Sequence, residues 1–181
     1  QRQTLFLGLS DGARIDTFRR ANPDLNHEQI WQTHELPPGR VADLLDKLSE
    51  HLAGINGKPR NDQTFRFIVL LDDFSASGSS YYSTKDDGTP GGKVAKFLSE
   101  LTKNGSPLRR LCAPGGVDVA ILLYMATEQA ITHLCDSLKG QIPGVRRTFV
   151  ETMQVVPSRI KLARGDATVE FTRLVEKYYS H

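Results

Sequence analysis

Apolar and polar positions along the chain follow two rhythms that alternate with each other. Short apolar runs predict strands: Thr4-Leu5-Phe6-Leu7-Gly8-Leu9 first, then Phe65 to Leu71, then Val117 to Tyr124. The second and third runs lack the in-out alternation of a half-exposed strand, as expected for strands covered on both faces. Gln29 to His34 and Arg147 to Val156 are weaker strand candidates. Between these runs, apolar residues recur at helical spacing. Val41, Leu44, Leu45, Leu48 and Leu52 mark a helix from Val41 to about Leu52. Ile15 to Ala21, Val94 to Leu101, Glu128 to Leu138 and Thr168 to Tyr179 read the same way. Breakers fall where they should: Asn22-Pro23-Asp24, Leu36-Pro37-Pro38-Gly39 and Gly140. Gly54 to Gln63 is a polar connection, and the composition of Ser83 to Gly92 predicts a mobile loop.

Strands alternating with helices imply right-handed crossovers. The expected fold is α/β, a mostly parallel central sheet with helices on both faces. Residues 1–181 are expected to form a single domain, with the Phe65 to Leu71 strand at its centre. The chain begins at Gln1 and ends at His181 directly after a helical segment, which suggests a piece of a longer protein.

The acid pair Asp72-Asp73 follows the central run. Phe74-Ser75-Ala76-Ser77-Gly78-Ser79-Ser80 comes next, a turn of small and hydroxyl residues. In open α/β sheets, ligands bind at the carboxyl ends of strands. Such a turn can aim several N–H groups and hydroxyls at one anion. The carboxylates can accept hydrogen bonds from sugar hydroxyls or hold a metal. Acids beside a phosphate cradle suggest a sugar-phosphate ligand. The alternative is a well-capped turn, because Ser and Asp favour such positions in any case. Paired acids after a strand also occur in receiver and phosphatase-like folds.

A second loop, Leu9-Ser10-Asp11-Gly12-Ala13-Arg14, separates the first strand from its helix. Gly12 permits a tight turn and Arg14 can pair with an anion. The plain alternative is an Asp-Gly turn with a solvated arginine. Thr127 reads as the cap of the helix beginning at Glu128. His133 reads as structural, and His34 could border a site. Lys85 or Lys93 could reach a phosphate.

The run Val69 to Ser80 resembles the ribose-phosphate signature of type I phosphoribosyltransferases, with serines in place of its threonines and second glycine. That resemblance implies a Rossmann-like phosphoribosyltransferase fold. Asp72 and Asp73 would hold the ribose 2′ and 3′ hydroxyls and a magnesium ion, and Ser75, Ala76, Ser77, Gly78, Ser79 and Ser80 would wrap the 5′-phosphate. Ser10, Asp11, Gly12, Ala13 and Arg14 stand where the family carries its pyrophosphate loop. No catalytic acid or base is assigned. The chain departs from the family in two ways. About ten polar residues separate the phosphate loop from the next helix, and no base-selecting hood is visible. With both loops together it looks more like a divergent branch, found fused into bacterial conflict and antiviral-defence proteins. The implied ligand is phosphoribosyl pyrophosphate or a nucleotide, with magnesium. The implied partner is a fused or associated effector domain. Two functions stay open: transfer or release of a ribosyl group, and nucleotide sensing without turnover.

Composition narrows little else. The net charge of +2 does not indicate nucleic acid, and no apolar run approaches a membrane span. Two cysteines, Cys112 and Cys135, have no metal-ligand spacing and fit the reducing cytoplasm as small core residues.

Overall fold

The computed structural model describes residues 2–33, 35, 37–56, 64–157, 173 and 177. Strand β1 (Thr4–Gly8) leads through a 3-10 turn, Asp11–Ala13, into α1 (Ile15–Ala21). A second 3-10 turn, His27–Gln29, precedes β2 (Ile30–Trp31), and α2 (Pro38–Asn56) follows. Then come β3 (Phe67–Ser75), a small hairpin of β4 (Ser83–Thr84) and β5 (Pro90–Gly91), and α3 (Lys93–Thr102). The remaining elements are α4 (Pro107–Leu111), β6 (Val117–Thr127), α5 (Glu128–Ser137) and β7 (Val145–Val156). The helix expected over Thr168 to Tyr179 lies outside the described residues, apart from Arg173 and Lys177, which are helical and exposed. His34 also lies outside them.

Five parallel strands form one sheet in the order β2-β1-β3-β6-β7, flanked by helices in a Rossmann-like α/β arrangement. The expected α/β fold is present, and β3 is central between β1 and β6. Residue parity assigns each strand side chain to one face. Leu5, Leu7, Ile68, Leu70, Val119 and Ile121 pack with Val41, Leu44 and Leu48 of α2 and Phe97 and Leu101 of α3. The opposite face gathers Leu71, Phe6, Val69, Leu122 and Tyr124 against Ala13 and Ile15. Among the described residues, no helix is long and apolar enough to cross a membrane.

Several boundaries differ from the expected ones. The central strand begins at Phe67 and continues to Ser75, so Asp72, Asp73 and Phe74 are strand residues and not loop residues. They pair in register with β6, whose own strand runs on to Thr127, giving Phe74 and Ser75 the partners Met125 and Ala126. Phe65 makes only an isolated bridge with Cys112. The Gln29 to His34 strand shrinks to two residues, because Gln29 closes a 3-10 turn and Ile30 and Trp31 alone pair with β1. Ser83 to Gly92 is no featureless loop but carries the antiparallel β4-β5 hairpin. The five-residue α4 was not anticipated; Pro107 sits in its first turn, and Leu108 and Leu111 are buried. Cys112 is a buried core residue as expected, whereas Cys135 is exposed.

Candidate functional site

The sheet order reverses between β1 and β3, which creates a crevice at the carboxyl ends of these two strands. The Leu9 N–H donates to the Leu71 carbonyl at 2.9 Å, so the strands end side by side. Ser10 to Arg14 and Ala76 to Ser80 therefore leave the sheet from neighbouring strands at one end, with Asp72 and Asp73 near the end of β3.

Strand geometry separates the two acids. Asp72 continues the parity of Ile68 and Leu70 and is fully buried. Its Oδ1 accepts from Ser10 Oγ at 2.5 Å and from the Asp73 N–H at 3.1 Å, while its Oδ2 accepts from Lys93 Nζ at 2.6 Å. Lys93 also lies 4.8 Å from the centre of the Tyr81 ring. Burial alone pushes the Asp72 carboxyl up. Hydrogen bonds from Lys93 and Ser10, with the charge of Lys93, outweigh it and hold the group below its usual value. Tyr81 is itself buried and donates to the Phe74 carbonyl at 2.9 Å. Burial and the negative charge of Asp72 drive its hydroxyl well above the usual tyrosine pKa.

Asp73 points the other way and is exposed. Its Oδ1 accepts from the Phe74 N–H at 2.8 Å, and the carboxylate rests against Gly12. A β-carbon at Gly12 would overlap that carboxylate, so glycine here lets Asp73 lie against the turn. The turn is also held from beneath. Tyr124 of β6 donates its hydroxyl to the Ala13 carbonyl at 2.5 Å. Burial, then the charges of Asp72 and Asp73, raise the Tyr124 pKa. Arg14 follows with φ 48° and ψ 44°, left-handed backbone that is unusual for a residue with a β-carbon.

The hydroxyl loop closes on itself. Ser75 Oγ accepts from the Gly78 N–H at 3.1 Å, and the Ser77 and Ser79 hydroxyls lie 2.8 Å apart. The Gly78 carbonyl accepts from the N–H groups of Tyr81 and Tyr82. Ala76, Ser77, Ser79 and Ser80 are exposed, whereas Ser75 and Gly78 are buried. Gly78 has φ 82°, and a β-carbon there would lie 2.7 Å from the His133 ring. Gly78 therefore faces α5 and not the open crevice. Thr127 caps α5, accepting from the Ala130 N–H at 3.1 Å, and donates its hydroxyl to the Ala76 carbonyl. His133 is structural, as read from the sequence: its Nε2 lies 2.8 Å from the Tyr82 carbonyl, which can only accept, so Nε2 carries the proton.

The ten-residue interruption before the next helix turns out to be a pinched excursion. After the β4-β5 hairpin, the Lys93 N–H donates to the Ser80 carbonyl at 3.1 Å and the Val94 N–H to the Tyr81 carbonyl at 2.9 Å. Helix α3 thus starts against the end of the hydroxyl loop, with the hairpin projecting outward. Gly92, at φ 97°, makes the return possible, since a β-carbon would overlap the Tyr81 carbonyl. Of the two lysines that the sequence offers to a phosphate, Lys85 and Lys93, the second carries its ammonium on Asp72. Sequence reasoning missed Tyr81 as a support of the end of β3 and Tyr124 as a support of the Ser10–Arg14 turn.

Ser10, Asp11, Arg14, Thr17, Arg20 and Gln32 line a cavity of about 310 Å³ on the β2 side of the crevice. The hydroxyl loop does not line it. A wider groove of about 580 Å³ runs past Trp31, Arg40 and Pro37 at the sheet edge. Magnesium is usually held by one or two carboxylates together with ligand phosphates. The acid pair does not converge on one such position: Asp72 is buried with both oxygens engaged, and Asp73 stands alone beside Gly12. No group of three or more His, Cys, Asp or Glu side chains gathers among the described residues.

No protein-family model matches this chain, and no curated protein matches it.

Proposed function

We propose that this domain is a phosphoribosyltransferase-like module that binds phosphoribosyl pyrophosphate or a nucleotide in the crevice between β1 and β3. One observation carries the reading. The Ser10–Arg14 turn and the Ala76–Ser80 loop leave adjacent parallel strands at the same end, and Asp73, near the end of β3, lies directly against Gly12. In this reading the exposed hydroxyls of Ser77, Ser79 and Ser80, with the loop backbone, cradle the 5′-phosphate. Asp73 accepts hydrogen bonds from the ribose hydroxyls. Asp72 anchors Ser10 and Lys93, and so fixes the pyrophosphate turn to the start of α3. Arg14 and the cavity beside it take the distal phosphates. Transfer of the ribosyl group would then rest on holding the departing pyrophosphate by charge and hydrogen bonds. In the same reading the domain works beside an effector domain of a bacterial antiviral-defence protein, in the cytoplasm that its cysteine usage suggests.

Nucleotide sensing, with control of the effector, is favoured by one feature. Both Asp72 oxygens are committed within the protein, so one carboxylate of the pair remains for the ligand. Incubation with phosphoribosyl pyrophosphate and a nucleotide panel, followed by mass spectrometry and calorimetry, tests the proposal. Binding with consumption supports transfer, and binding without consumption supports sensing. Absence of both contradicts the reading.

A further inference from the structure

We infer that Lys93 is the resident cation of this crevice, a positioning residue that lets the domain take a phosphorylated sugar without a divalent metal. The inference rests on the sugar-phosphate reading above and names the charge that serves it. Lys93 Nζ lies 2.6 Å from Asp72 Oδ2, and the Asp72 side chain is fully buried while that of Lys93 is one-third exposed. Asp72 is fully buried, so a metal approaching this carboxylate meets the ammonium on one oxygen and Ser10 on the other. The ammonium is also fixed by the backbone. Lys93 opens α3, its N–H donates to the Ser80 carbonyl, and the Tyr81 ring lies 4.8 Å away. The cation thus belongs to the same turn as the hydroxyl loop. An ammonium has three donors. One serves Asp72, and with the side chain one-third exposed we assign the others to a phosphate or a ribose hydroxyl. Asp73 faces the opposite way, so no second carboxylate joins Asp72 in building a metal site.

Ribose 5-phosphate is the probe, titrated by calorimetry into wild-type protein, Lys93→Gln and Lys93→Arg, each in magnesium and in EDTA. Wild-type affinity is expected to agree within about twofold between the two buffers. Lys93→Gln should lose about tenfold or more in EDTA, the size of one charge-assisted hydrogen bond, and Lys93→Arg should recover part of the loss. Wild-type binding that is intact in magnesium but at least tenfold weaker in EDTA overturns the inference and leaves the sugar-phosphate reading standing. No binding in either buffer overturns both. If Lys93→Gln fails to fold, the wild-type comparison between buffers decides alone.

Discussion

Lys93 and Asp72 are 21 residues apart in sequence and meet at 2.6 Å, an ammonium closing over a carboxylate that solvent does not reach. Removing one member of a buried ion pair is costly because the other loses its compensation. Asp72→Asn keeps the size of the side chain and removes its charge. It should lower stability by about 2–4 kcal/mol, the upper part of the range being reduced because Lys93 can turn to solvent. Urea denaturation measures this directly. An Asn variant as stable as wild type would remove Asp72 from its anchoring role.

The same pair sets a pH signature. Asp72 titrates below its unfolded value, so its contribution is complete above the unfolded pKa and is lost as pH falls through the folded one. The stability gap between wild type and Asp72→Asn should therefore be constant near neutrality and close at pH values below about 4. A gap that does not begin to narrow as pH falls below the unfolded value would show that the charge of Asp72 is not what stabilises the fold.

Much of the architecture was legible in the sequence, for reasons particular to each element. The spacing of Val41, Leu44, Leu48 and Leu52 located α2, because a buried helical stripe leaves a strong periodic trace, and Ile15–Ala21 was bounded by the Asp11-Gly12 turn before it and Asn22-Pro23 after it. The separation of Asp72 from Asp73 was legible in principle, since Ile68, Leu70 and Asp72 share a parity once the strand is known to continue. Two adjacent acids ordinarily end an apolar strand, and only the pairing with β6 carries this one on to Ser75. Contacts between distant residues left no local trace. Tyr124 reaches Ala13 across 111 residues. Lys93 reaches Asp72 only because the β4-β5 hairpin is pinched off at Gly92, a closure that depends on geometry and not on composition.

Gly12→Ala separates folding from binding. The added β-carbon meets the Asp73 carboxylate, the end of a side chain that can swing into solvent. Stability should change by less than about 1 kcal/mol, whereas ribose 5-phosphate affinity should fall about tenfold as Asp73 is displaced. Equal affinity in the Ala variant would show that Asp73 does not address the ligand.

Gly78→Ala should act in the opposite sense. The residue has φ 82°, and the new β-carbon would press on the His133 ring. The expected cost is about 1–3 kcal/mol from strained backbone and crowding. Removing the ring with His133→Ala relieves the crowding but not the dihedral strain, so the double variant should remain less stable than His133→Ala alone. Thermal melts of the four proteins check the comparison.

Tyr124→Phe deletes one hydroxyl that holds the Ala13 carbonyl. The loss should be about 1 kcal/mol in stability. Hydrogen exchange should quicken at the Gly12 and Ala13 amides while the β3 amides stay protected, because only the turn is released. Unchanged exchange in the turn would mean that Tyr124 does not hold it.

The crevice between β1 and β3 is tested most directly by a ¹⁵N-resolved NMR titration of the wild-type chain with ribose 5-phosphate. The account predicts saturable shifts concentrated at the amides of Gly12, Asp73, Ser77, Ser79 and Ser80, with the Trp31 indole unmoved. No shifts at millimolar ligand, or shifts centred on Trp31 and Arg40 with the hydroxyl loop silent, would contradict it.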